Sequence, residues 1–164
     1  MDINFKNSTT IFLDVLGLDL FELKMDNFEI KGFGAHLKVE VVEVIGFPNK
    51  THFDGGFYCK LNIEIKVEDI LLNSFFYATT QNLLELRSSL KKCYELIDGK
   101  VDFFHRDSNL ELTLIFLKNG GIHIFGRFQK YLSTDNTLNF EFYSDQTYIY
   151  QTLEQMDFLN KYKI

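Results

Sequence analysis

The chain has 164 residues with a net charge of −6, 18 Phe, 8 Tyr, no Trp and a single Pro. An acidic chain of this kind lacks the basic footprint that nucleic-acid phosphates require, and no run approaches the ~18 apolar residues of a membrane helix. The aromatic load favours strands, and the length fits one domain over residues 1–164 with a sizeable core.

The N-terminus, MDINFKNSTT, has no basic stretch followed by an apolar run, so the chain reads as cytoplasmic. Residues 1–8 are expected to be loosely ordered. Ile11, Leu13 and Val15 alternate and predict a strand from Thr9 to Gly17. Phe21, Leu23 and Met25 against Glu22, Lys24 and Asp26 predict a second strand reaching Ile30. Gly32 and Gly34 flank Phe33 in a turn. Leu37, Val39 and Val41 against Lys38 and Glu40 predict a third strand to Ile45, and a long loop, residues 46–56, follows.

The longest alternation begins at Phe57. Phe57, Cys59, Leu61, Ile63, Ile65 and Val67 share one parity, and Lys60, Asn62, Glu64 and Lys66 share the other. One face belongs in a core and one in water. After a turn at Glu68–Asp69, Ile70–Ala78 carries Leu71, Phe75 and Tyr77 on one face and Leu72 and Phe76 on the other. With both faces apolar, that strand is expected to be central or covered by a helix on its outer side. Thr79 and Thr80 supply helix-capping hydroxyls. Leu83, Leu86, Leu90, Cys93 and Ile97 recur at helical spacing, and Gly99 is the expected stop.

Strands return after Gly99. Val101–His105 is short and aromatic. Leu110, Leu112, Leu114 and Phe116 alternate with polar residues, and Asn119-Gly120-Gly121 is a hairpin signal. Ile122, Ile124 and Phe128 alternate with His123, Arg127 and Gln129. Leu138, Phe140 and Phe142 then alternate with Asn139, Glu141 and Tyr143. Ser144 is placed to cap a closing helix with Ile149, Leu153 and Met156 as its buried stripe. The fold class is therefore α+β, mainly antiparallel β. About eight or nine strands form a sandwich or partly open barrel, with a helix at 80–97 and a C-terminal helix at 145–159.

Catalytic chemistry finds little support. His52/Asp54 and His105/Asp107 form His-x-Asp pairs, but neither has a third ligand or a rigid partner in the spacing, so no metal or cofactor is expected. No nucleophile-elbow or phosphate-cradling pattern is present. Cys59 and Cys93 fall on apolar faces and read as reduced, buried hydrophobes. They would be near neighbours if the helix packs on that sheet face.

DGGFYCKLNIEIKV, SFFYATTQNLLELRSSLKKCYEL, FFHRDSNLEL and NFEFYSDQTYIYQTLEQM follow one another in an order that resembles the WapI-type immunity proteins and related bacterial families. The likeness spans residues 45 to 160. It implies a non-enzymatic protein that protects a bacterium by binding a polymorphic toxin. An acidic surface would suit a basic, nuclease-type toxin domain. Glu64, Glu68, Asp69, Glu111 and Glu141 are the candidate contacts, although each also fits a solvated strand face. The other reading is a carrier of a small apolar ligand, in a barrel cavity lined by Phe57, Phe75, Phe116 and Phe140.

Overall fold

The computed structural model describes residues 25–104 and 109–164. Its strands are β1 (Asn27–Gly32), β2 (Ala35–Ile45), β3 (Tyr58–Val67), β4 (Ile70–Thr79), β5 (Gly99–Phe104), β6 (Leu110–Phe116), β7 (Gly121–Phe128) and β8 (Leu138–Asp145). Helix α1 (Thr80–Leu96) separates β4 from β5, and α2 (Gln146–Gln155) runs into a 3-10 segment, Met156–Tyr162. Two antiparallel four-stranded sheets result, ordered β1-β2-β3-β4 (sheet A) and β5-β6-β7-β8 (sheet B). The α+β reading with mainly antiparallel strands is borne out.

Residue parity builds both sheets. In β3, Cys59, Leu61, Ile63 and Ile65 are buried while Asn62 and Lys66 are exposed. Each such fully buried aliphatic side chain contributes about 1.5–3 kcal/mol. In sheet B, Leu112, Leu114, Ile122, Ile124 and Phe142 point inward on the same rule. The two inner faces and the Leu83–Leu86–Leu90 stripe of α1 share one apolar core. Phe76 of sheet A meets Phe103 of sheet B edge-on, ring centres 6.3 Å apart.

Helix α1 starts where its threonines allow. Thr79 Oγ1 accepts from the Asn82 amide at 3.2 Å, and Asn82 Oδ1 accepts from the Thr79 amide at 2.9 Å. Thr80 Oγ1 accepts from the Phe57 amide at 2.9 Å and so ties the preceding loop to the helix. Thr79→Ala is expected to cost about 1 kcal/mol. Urea denaturation of the variant checks this, and an unchanged midpoint would refute the cap's role.

Several expectations need correction. Of the strand expected from Phe21 to Ile30, Phe21 and Leu23 lie outside the described residues; the described part runs Asn27–Gly32, and its buried side is the even one, Phe28 and Ile30, with Met25 exposed. The strand expected over Thr9–Gly17 lies outside the described residues. Helix α1 ends before Gly99: Ile97 takes the left-handed conformation (φ 52°), and its amide donates to Cys93 O. Asp145, not Ser144, caps α2, accepting from the Thr147 amide at 2.8 Å. Ser144 is buried and donates to Lys31 O at 2.6 Å. Thr152 is fully buried in α2 where Leu153 was expected, and Leu153 is half-buried.

Among the described residues, β4 is neither central nor helix-covered. It is an edge strand, and Leu71 is exposed on its outer face. Phe75 and Tyr77 are half-buried there by rings and lysine stems, not by a helix.

The eight described strands do not close into a barrel. Phe57, Phe116 and Phe140 are core rings, whereas Phe75 faces outward. The gap between sheets and helix, lined by Phe28, Phe76, Leu86, Phe103 and Leu112 among others, measures about 10 Å³. That is at the lower limit for a single water. The described residues therefore enclose no Phe-lined barrel cavity of the kind that the carrier reading expects.

Candidate partner-binding surface

In sheet B, odd positions of β7 and β8 face outward. Cross-strand register aligns Asp102, Thr113, Phe125 and Glu141 in one row. Phe104, Glu111, Arg127 and Asn139 form the row on one side, and Lys100, Ile115, His123 and Tyr143 the row on the other. Phe104 and Tyr143 are 65% and 55% exposed, high values for large rings on a sheet face. A shallow groove of about 450 Å³ opens on this face, lined by His123, Phe125, Gly126, Asn139, Phe140 and Glu141, while Gly126 itself faces inward, where a side chain would collide with the Phe140 ring.

The polar groups of this face hold one another in place. Tyr143 stacks on His123 (4.8 Å, 17°), and Glu141 Oε2 lies 3.2 Å from His123 Nε2. Arg127 donates to Glu111 at 2.8 Å. The Thr113 hydroxyl, at 2.7 Å, and the Lys100 ammonium, at 2.9 Å, hold Asp102 below the usual carboxylate range. Rings and charges fixed before a partner arrives lose less freedom on binding.

The structure places the five candidate carboxylates as follows. Glu111 and Glu141 are on this face. Glu68 and Glu141 both line a second groove, of about 310 Å³, beside Phe33, Phe142 and Tyr143. Glu68 and Asp69 form the exposed tip of the β3–β4 hairpin, and Glu68 adopts φ 54°. Glu64 stands apart on the outer face of sheet A, 2.7 Å from His36 Nε2. Three of the five thus gather around sheet B and its rim, while Glu64 and Asp69 do not.

Sheet A carries its own aromatic row. His52 stacks on Tyr58 (5.1 Å) and Tyr58 on Tyr77 (5.3 Å), while Lys60 and Lys130 lie over Phe75. These rings are half-buried against each other and present less free area than Phe104 and Tyr143.

Asp54 Oδ2 is 3.8 Å from His52 Nδ1. Among the described residues no three His, Cys, Asp or Glu side chains converge as a metal site. His105 and Asp107 lie outside the described residues. Cys59 and Cys93 are buried free thiols. Burial pushes the Cys59 thiol up to about 12 and raises Cys93 as well. Since the thiolate is the reactive form, the folded protein is expected to resist alkylation at pH 8 while both cysteines label in urea. Rapid native labelling of Cys59 would contradict its burial.

Sequence reasoning missed Phe104, Phe125 and Tyr143. The available signal was parity: Phe125 and Tyr143 occupy positions where their neighbours are polar, so an outward ring was already implied.

Comparison with known proteins gives three findings. Residues 28–159 match the model described as "Immunity protein WapI-like family". No curated protein matches the chain. Among solved structures, one of MRP1/MRP2 from Trypanosoma brucei is similar over 96% of this chain and 94% of that one, at 9% identity and a TM-score of 0.48. That likeness is too distant to bear on function.

Proposed function

Because the chain belongs to the WapI-like immunity protein family, we propose that it neutralises a bacterial toxin by direct binding, and that the outer face of sheet B is the contact. The observation that supports this surface is the exposure of Phe104 and Tyr143 on a face already ordered by Glu111–Arg127 and His123–Glu141. Exposed aromatic anchors beside fixed charges are the usual make-up of a binding centre. Glu68, Glu111 and Glu141 would steer a basic toxin domain towards this face, and Glu64 and Asp69 would add to the field from further off. The reading is non-enzymatic: the protein acts by covering the toxin, in the cytoplasm of the cell that makes it.

The test is recovery of the partner from the native host with tagged protein, followed by expression of the partner's toxic domain alone. Co-expression of the wild-type chain should restore growth, and a folded Phe104→Lys/Tyr143→Lys variant should not. A variant that protects as well as wild type would overturn the assigned face. Failure of the wild type to protect against any recovered partner would overturn toxin neutralisation itself.

A further inference from the structure

The hairpin tips of sheet A meet the edge of sheet B at one place. There the β1–β2 and β3–β4 turns stand beside β8, and Phe33, Glu68, Glu141 and Tyr143 share the groove of about 310 Å³. Backbone contacts fix its walls. The Phe33 amide donates to Tyr143 O at 2.9 Å, and Gly32 comes so close that a Cβ there would lie 2.4 Å from the same carbonyl.

Glu68 is the odd member. It sits in a turn at φ 54°, a left-handed position that suits glycine and strains an L side chain. Strained residues that persist gather where their side chains act. The Glu68 side chain is exposed and has no ion pair among the described residues. Glu141, the other carboxylate of the groove, meets His123 through Oε2 at 3.2 Å, and its side chain stays 69% exposed. Two rings complete the lining. Phe33 is 62% exposed, with Tyr148 edge-on to it at 5.9 Å, and Tyr143 is 55% exposed. None of the described residues lining the groove is cationic. The nearby Lys31 lies over the Tyr148 ring instead, 5.8 Å from its centre.

We propose that this groove seats an arginine side chain of the toxin, its guanidinium within reach of both carboxylates and its plane against the Phe33 ring. Charge complementarity selects this occupant. Carboxylates that share a site repel each other, and a positive charge placed beside both removes that repulsion. Arginine fits better than lysine, because its planar fork bonds carboxylates in parallel pairs and stacks on aromatic faces. The ring's negative face adds to the attraction. An anionic or apolar side chain would cover both carboxylates without pairing them, at a desolvation cost.

The groove adjoins the proposed contact, since Glu141 and Tyr143 belong to both. The inference rests on toxin binding for the source of the arginine, and not for the chemistry of the groove.

Two measurements on the full chain distinguish failure of the seat from failure of the toxin reading. The first adds N-acetylarginine amide alone and follows chemical shifts. The expected result is saturable shifts at Phe33, Glu68 and Tyr143, weaker with the lysine analogue and absent with the uncharged citrulline analogue. Glu68→Gly keeps the turn and should abolish these shifts without lowering the urea midpoint. Phe33→Ala, at an exposed position, gives a second folded variant with the same expected loss. The second measurement is calorimetric titration of the recovered toxin domain, which either variant should bind about tenfold more weakly. Absence of shifts with N-acetylarginine amide overturns the seat, as does an equal response to the lysine or citrulline analogue. Toxin affinity that both variants leave unchanged also overturns it. Intact arginine shifts in a wild type that binds no toxin would support the guanidinium seat and overturn the toxin as its source.

Discussion

Replacing Phe76 by Ala is expected to remove about 3–5 kcal/mol of stability. The ring is 1% exposed, on the inner face of β4. It packs edge-on against Phe103 across the gap between sheets and lines the same small interior space as Leu83 and Leu86 of α1. Truncation therefore loses contacts to both sheets and the helix together. The surroundings have little slack with which to collapse, because strand ladders hold sheet A on one side and sheet B on the other. A typical domain has only about 5–15 kcal/mol in total, so the variant should unfold at markedly lower urea. Phe76→Leu should recover much of the loss. A drop under about 1 kcal/mol for Phe76→Ala would mean that the two sheets are not joined through this ring.

If the proposed toxin contact holds, Tyr143→Ala is expected to weaken it by about 2 kcal/mol, roughly 30-fold, while moving the urea midpoint little. The two effects separate because Tyr143 is 55% exposed and packs mainly on His123 at the surface. Its stack on His123, itself held by Glu141, fixes the ring in the orientation a partner would meet. Calorimetric titration of the recovered toxin domain reads the affinity. Glu141→Lys should instead act chiefly on the association rate and its salt dependence, as charge at an interface does. Equal affinity for wild type and Tyr143→Ala would exclude the ring as an anchor.

Much of the strand layout was legible because alternation is a local code. The inner faces of β3, β6 and β8 followed directly from residues such as Leu61, Leu114 and Phe142. The errors cluster where two local signals compete. At the end of α1, Gly99 outranks Ile97 as a helix stop by intrinsic preference, yet the chain turns at Ile97, two residues earlier. At the start of α2, Ser144 and Asp145 are both good caps. Ser144 is drawn inward by the Lys31 carbonyl, which lies far off in sequence. In β4, apolar residues on both faces normally mean burial on both, but here the outer rings are sheltered by Tyr58, Lys60 and Lys130.

The surface around sheet B was less legible than the core. Glu111 and Glu141 are recognisable as outward carboxylates from β6 and β8 alone. That they share a face with Phe104, Phe125 and Tyr143 depends on the β5-β6-β7-β8 order and its register. Likewise Glu68 joins the rim beside Phe33 and Tyr143 only because sheet A docks its hairpin ends there.

The sequence by itself determined the period of each strand, the buried stripe of α1, the turns at Gly34 and Gly120, and the likeness to an immunity family. The first three rest on side chains within a few residues of one another, and the likeness on the order of whole segments along the chain. Only the tertiary structure decided that the described strands form two open sheets and no barrel, that β4 ends the strand order of sheet A, and that the outer face of sheet B brings Phe104 and Tyr143 together with Glu111 and Glu141. Those outcomes depend on which strands pair and how two sheets and two helices fill one core. Such long-range contacts have free energies that no short stretch of sequence encodes.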